Sequence, residues 1–248
     1  MAFNEDSRVK IPAILHLARL GYTYINRNEH SLRLEESNIF PEIFRESIGR
    51  INKGVDAAEI ERCLQEISLK LDYDDLGRDF YKALTATSGI KLIDFTNFNN
   101  NRFHVTTELP CKNGDESFRP DISVLINGMP LVFIEVKKPN NKQGVLEERY
   151  RINRRYKNKQ FKRFANITQL MIFSNNMEYE DGVIEPIQGA YYATSAYKDL
   201  NFNYFREEEN LNLTHLLADE SEAVEQMILK DNNVEVIKHS PEFKTNKH

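Results

Sequence analysis

The spacing of apolar positions along the chain changes twice. Ile11, Ile14, Leu15 and Ala18 recur at helical intervals within residues 8–21, and Gly21 supplies a stop. Pro41–Ile51 predicts a second helix, with proline in the favoured first turn. Asp56 and Glu59 have the spacing of a capping box, and Ile60, Cys63, Leu64, Ile67 and Leu71 form one apolar stripe behind them. A fourth helix is expected over residues 75–87. After Gly89 the period shortens. Residues 90–95 and 102–109 read as strands, the second alternating through Phe103, Val105 and Thr107. Two more strands, 121–126 and 131–136, flank the turn signal Asn127-Gly128-Met129-Pro130. Residues 145–165 return to helical spacing, 169–174 and 190–194 read as strands, and an acidic helix is expected over 211–229. Helices, then strands crossed by a long helix, then a helix predict an α/β (α+β) fold, a mixed sheet flanked by helices.

Composition narrows the class. With 40% hydrophobic and 29% charged residues among 248, the chain has ordinary globular make-up. Its apolar runs are far too short to span a membrane, and the polar first ten residues predict no secretion signal, so a cytoplasmic protein is expected. Cys63 and Cys111 are isolated and read as two reduced thiols. The six histidines are scattered and build no zinc site, and His104 reads as an ordinary strand residue. The net charge of −5 hides an asymmetry. Residues 142–163 carry nine basic side chains against Glu147 and Glu148, a local charge of +7 that leaves the rest of the chain at −12.

The chemistry-bearing stretch is Arg119-Pro120-Asp121 followed by Ile134-Glu135-Val136-Lys137. Alternate residues of a strand share a face, so Glu135 and Lys137 project together. Asp121 joins them only in one register. A plain two-residue loop at Asn127-Gly128 would pair Asp121 with Ile134 and put the two carboxylates on opposite faces. A loop of odd length, or a bulge, shifts the pairing by one and sets Asp121 opposite Glu135, with β-carbons roughly 5 Å apart. Such a loop or bulge is therefore expected. Two carboxylates so close in an apolar sheet need a neutralising cation. Mg²⁺ suits one or two carboxylates plus water and phosphate oxygens, and Lys137 adds positive charge on the same face. The set fits metal-assisted phosphodiester hydrolysis. By spacing alone, a salt-bridged structural cluster is the more common outcome for such residues; the surrounding sequence decides between the two.

The run from Arg119 to Pro139, with Asp121, Glu135 and Lys137 at its fixed points, resembles the PD-(D/E)xK nuclease motif. It is most similar to the version in the N-terminal endonuclease domain of the motor (R) subunit of type I restriction enzymes. Residues 11–25, Arg155-Tyr156 and residues 168–175 extend the resemblance to roughly residues 5–200. The resemblance implies a restriction-endonuclease-like sheet, with Asp121, Glu135 and the Val136 carbonyl as ligands of Mg²⁺ and Lys137 as catalytic lysine. It divides the chain into a mainly helical part (1–88), a nuclease core (89–200) and a C-terminal helical segment (201–248) leading toward a motor domain. One departure stands at Ile152, where the family often has glutamine four residues before Tyr156; Gln143 and Gln169 are the alternatives. The family also often recruits an acid from an early helix, for which Glu5, Glu35, Glu36, Glu42 and Glu46 are candidates.

In this setting the basic helix acquires a role. Arg149, Arg154, Arg155, Lys157 and Lys159 are expected to contact phosphates of double-stranded DNA, while Tyr150, Tyr156, Phe161 and Phe164 read chiefly as core. No P-loop is present, so ATP is expected only for a motor part outside this chain. Expected partners are DNA and the modification (methyltransferase) and specificity subunits of a restriction complex. Two other functions remain compatible: a repair or recombination nuclease of the same fold, and a docking module of the motor subunit with little cleavage of its own.

Overall fold

The computed structural model describes residues 5–113, 116–138, 144–175, 189–194, 202–205 and 214–234. A π-type turn (Asp6–Lys10) leads into α1 (Ile11–Arg19), followed by a two-residue strand β1 (Thr23–Tyr24). Helices α2 (Pro41–Ile51), α3 (Ala57–Lys70) and α4 (Arg78–Leu84) come next. The capping box at α3 forms as expected: Glu59 N–H donates to Asp56 at 2.8 Å, and Asp56 N–H donates back to Glu59 at 3.0 Å.

The strands are β2 (Phe103–Thr107), β3 (Cys111–Asn113), β4 (Glu116–Phe118), β5 (Ile122–Ile126) and β6 (Met129–Val136). Helices α5 (Gly144–Lys157) and α6 (Lys162–Ile167) carry the chain to β7 (Leu170–Ser174), β8 (Ala190–Ala193) and β9 (Asn203–Tyr204), and α7 (Glu222–Asp231) follows. Among the described residues, seven strands form one mixed sheet in the order β1-β2-β5-β6-β7-β8-β9, and β3-β4 is a separate hairpin. β6 and β7 are parallel, so the chain must cross over between them, and α5 and α6 make that crossing.

The sheet is buried on two sides. Ile122, Ile134 and Val136 pack with α1 and with Ile228 and Leu229 of α7. Phe133, Met171 and Phe173 face the other way, against Ile152 of α5. Helices α2–α4 gather Phe44, Ile48, Leu64, Leu71 and Phe80 around Met129 and Leu131, near the turn end of the β5–β6 hairpin.

The hairpin register meets the condition read from the sequence, by way of the bulge. The loop has two residues, Asn127 (φ 53°) and Gly128 (φ 80°), and pairs Ile126 with Met129. Leu125 then pairs with Pro130 but Val124 with Val132, which leaves Leu131 as the extra residue. Pro130 has no N–H for the ladder, and its neighbour Leu131 turns its carbonyl to Gln169 N–H of the next segment at 2.7 Å. Beyond the bulge Ile122 faces Ile134, so the register carries Asp121 to Glu135.

Several boundaries differ from expectation. Residues 90–95 form no strand; Leu92 and Ile93 are buried, and side-chain amides serve their backbone in place of a ladder. Asn52 brackets Lys91, and Asn127 donates to the Leu92 carbonyl at 2.8 Å. The helix expected over 145–165 breaks at Asn158, whose side chain accepts from Gln160 N–H at 3.0 Å and starts a 3₁₀ turn before α6. The terminal helix is shorter than expected, Glu222–Asp231 after a 3₁₀ turn at Thr214–Leu216, and residues 211–213 of that expectation lie outside the described residues. The fourth helix contracts to Arg78–Leu84 because Asp75 organises the preceding turn, accepting from Gly77 N–H and Asp79 N–H. β1, β9 and the β3–β4 hairpin are too short to register as apolar patterns.

Candidate active site

Asp121, Glu135 and Lys137 meet at the open end of the β5–β6 hairpin. The Asp121 carbonyl accepts from Glu108 N–H at 3.2 Å, continuing the β2–β5 pairing, and its Oδ2 accepts from Val136 N–H at 2.8 Å. One aspartate oxygen is thereby fixed by the strand that carries the glutamate. Glu135 is 7% exposed, and its Oε2 is buried with no hydrogen-bond partner. Lys137 Nζ lies 3.5 Å from Glu135 Oε1, and its backbone N–H is held by the Ser174 carbonyl at 2.8 Å.

Burial disfavours charge on both carboxyls. It pushes Glu135 well above the usual carboxylate range, helped by repulsion from Asp121 and Glu148. Burial raises Asp121 too, against the opposing pull of the Val136 N–H and Lys137. For Lys137, burial works against the ammonium, yet Glu135, Glu148 and Asp121 together hold it above the ordinary lysine value. The result is a strained pair of acids beside a firmly protonated lysine.

The sequence did not single out Glu148. It projects from α5 toward Lys137, is 1% exposed, and places Oε2 at 3.5 Å from Nζ of Lys137 and 2.7 Å from Arg151. Its Oε1 is 3.6 Å from Arg155. A signal existed: Glu148 is one helical turn before Ile152 and two before Tyr156, on the inward stripe of an otherwise basic helix. Ile152 itself is fully buried among Phe133, Met171, Phe173 and Tyr191, so no polar group acts from that position. Gln169 donates to the carbonyls of Asn166 and Ile167 at the end of α6, and Gln143 lies outside the described residues. Of the five early acids, Glu36 pairs with Arg163 and Glu42 with Arg45, while Glu46 is exposed; the charge of Glu5 is the one felt by Asp121 and Lys137.

The basic helix divides by face. Arg154, Lys157 and Lys159 are exposed. Arg155 is instead held inward, its guanidinium 4.1 Å from the Phe118 ring centre and beside Glu148, and burial lowers its pKa. Arg149 lies 5.9 Å from the Phe202 ring centre. Phe161 is buried and Phe164 packs on Phe118, as core residues, but Tyr150 is 75% exposed, contrary to its reading as core. His104 lies in β2, with burial lowering its pKa to about 4, and Cys63 and Cys111 are free thiols.

The donor set suits a hard divalent cation. The Glu135 Oε2 is a buried acceptor without a donor, and Asp121 stands opposite it. Among the described residues no group of three or more His, Cys, Asp or Glu side chains gathers as a metal cage. Two carboxylates completed by backbone and solvent oxygens match Mg²⁺, and a zinc site of nitrogen and sulfur ligands has no counterpart there.

Comparison with known proteins matches residues 2–180 to the family of the type I restriction enzyme R protein N terminus. The chain belongs to this family. The R-protein N-terminal domain here is 28% identical over 207 residues to the type I restriction enzyme endonuclease subunit MjaIXP of Methanocaldococcus jannaschii, covering 72% of this chain and 19% of that protein. It is 25% identical over 163 residues to the HindI endonuclease subunit of Haemophilus influenzae, covering 59% of this chain and 15% of the relative. The SauCOLORF180P endonuclease subunit of Staphylococcus aureus is 24% identical over 194 residues, covering 72% and 19%. The chain therefore spans less than a fifth of the length of these relatives. Among the described residues of the R-protein domain, no helix is long and apolar enough to cross a membrane.

Proposed function

We propose that this domain is the Mg²⁺-dependent DNA endonuclease of a type I restriction subunit, hydrolysing phosphodiester bonds with Asp121, Glu135 and Lys137. The observation that carries the reading is the orphaned Glu135 oxygen, opposite Asp121 and beside Lys137, in a member of this family. Asp121 and Glu135 would hold the cation, with the Val136 carbonyl as a further oxygen ligand. The cation supplies Lewis-acid polarisation of the phosphodiester and makes water a stronger nucleophile near neutral pH. The Val136 N–H fixes one Asp121 oxygen, so the other is free to bind. Lys137 stays protonated and donates to the attacking water or to the phosphate oxygens as charge develops on them. Arg154, Lys157 and Lys159 supply sequence-independent attraction to the DNA backbone, with Arg149 at the margin and Arg155 serving the site from within.

In the complete enzyme, this reading assigns ATP-driven translocation to the motor part of the subunit and sequence recognition to the partner specificity and modification subunits. The test is a reconstituted restriction complex carrying Asp121→Ala or Lys137→Ala. DNA cleavage is expected to disappear while ATP hydrolysis continues. Cleavage that persists in both variants would falsify the assignment.

A further inference from the structure

Lys137 is shared between two acids, and one of them has no part in the proposed metal site. Its Nζ stands 3.5 Å from Glu135 Oε1 and 3.5 Å from Glu148 Oε2. Both distances are at the outer limit of a hydrogen bond, so the ammonium is suspended between the two without being committed to either. Were Glu148 uncharged, the attraction of Glu135 alone would draw the flexible lysine toward Glu135 Oε1 and away from the edge of the cation site, leaving Oε2 open to the cation. Glu148 is almost fully buried, and its own place is over-determined: Arg151 pairs with it at 2.7 Å, and Arg155, pinned over Phe118, approaches at 3.6 Å. Phe118 in turn packs edge-on against Phe161 and Phe164, so the arginine does not swing freely.

We propose that Glu148 is the positioning residue for Lys137, holding the ammonium off Glu135 and at the edge of the cation site. The proposal rests on the reading of Asp121, Glu135 and Lys137 as the catalytic set. Glu148 touches neither metal nor substrate, and it acts by where it puts the lysine.

The experiment pairs Glu148→Gln, which keeps the shape and removes the charge, with Arg151→Ala, which loosens Glu148 from its outer side and leaves its charge. Each variant is measured in three ways: DNA cleavage by the reconstituted complex, Mn²⁺ binding by this chain, and the carbon-13 resonance of reductively methylated Lys137, assigned with Lys137→Arg. For Glu148→Gln, cleavage is expected to fall about 100-fold, the size of effect that a misplacement of about 1 Å produces. The Lys137 resonance moves, and Mn²⁺ affinity stays within about threefold, a change too small to explain the lost rate. Arg151→Ala leaves the resonance in place and cleavage within about threefold of wild type. The proposal is overturned if Glu148→Gln leaves the resonance or the cleavage rate unchanged. It is also overturned if Arg151→Ala costs as much cleavage as Glu148→Gln, which would make the ion cluster a mere brace for α5. If the wild-type complex does not cleave, the nuclease reading fails, and the resonance still decides whether Glu148 places the lysine.

Discussion

The two ends of the β5–β6 hairpin both bury polar groups, and they treat them in opposite ways. At the turn end, Asn127 is fully buried and saturated. Its amide donates to the Leu92 carbonyl at 2.8 Å and to Asn101 at 2.9 Å, and its oxygen accepts from Arg102 N–H at 2.8 Å. Gly128 lies against α2, its carbonyl accepting from Phe40 N–H at 2.9 Å. At the open end, one oxygen each of Glu135 and Glu148 has no hydrogen-bond partner, and Lys137 hovers between acids. At the turn end the polar groups have their bonds completed within the fold. At the open end the unpaired Glu135 oxygen lies opposite Asp121 and beside Lys137, a place where a bound cation would complete it.

The largest effect that sharpens this contrast is on activity. Lys137→Ala is expected to lower cleavage by about 10³-fold or more in the reconstituted complex, with the folded structure intact by circular dichroism. Next is the turn. Gly128→Ala places a β-carbon 2.7 Å from the Phe40 carbonyl oxygen and 2.8 Å from Phe44 N, at a positive φ, so the backbone of α2 must move. A loss of about 2–4 kcal/mol in chemical denaturation is expected, and a loss below about 1 would show that α2 gives way. Asn127→Ala strands the Leu92 and Arg102 backbone groups and should cost about 1–3 kcal/mol by the same measurement. Glu135→Gln at the open end should cost little stability in the metal-free protein, since burial and the neighbouring acids already disfavour its charge, one of its oxygens has no partner, and Lys137 approaches the other only at 3.5 Å. An equal loss at both ends would erase the distinction.

A smaller effect concerns the exposed face of α5 and the turn after it. Replacing Arg154, Lys157 and Lys159 with glutamine should weaken DNA binding and make log affinity fall less steeply with log salt, by a slope of about 1 for each phosphate no longer neutralised. An unchanged slope would leave that face without a DNA role. The smallest is a pH effect away from the site. Burial lowers His30 and His104 to about 4, so the folded chain binds fewer protons than the unfolded chain between that value and the ordinary histidine value near 6.5. Stability is complete above the upper value and is lost as pH falls through the window. His104→Leu should flatten part of this slope in thermal unfolding measured from pH 7 to pH 4.

Much of this arrangement was legible in the sequence, for identifiable reasons. Local signals set local boundaries: Pro41 opens α2, and Asp56 with Glu59 opens α3. The alternation of β5 and β6, with the chemistry required of Asp121 and Glu135, demanded a register shift, and the bulge at Leu131 provides it. What pattern alone could not choose was the device, because an odd loop and a bulge place the same side chains on the same face. Residues 90–95 misled because Leu92 and Ile93 are buried as strands are, whereas the amides that serve the backbone of this stretch come from Asn101 just beyond it and from Asn52 and Asn127, far along the chain. Glu148 was hidden by its neighbours. In a segment of charge +7 it read as one acid diluting a basic stripe, and only the fold shows Arg155 and Lys137 converging on it.

The central claim is that Asp121 and Glu135 form a divalent-cation site. Calorimetric titration of Mn²⁺ and Mg²⁺ into this chain, beside Asp121→Asn and Glu135→Gln, tests it most directly. Saturable binding to the wild type is expected, weakened by more than about tenfold in each variant with folding unchanged. Wild-type protein that binds neither ion, or variants that bind as well as the wild type, would contradict it.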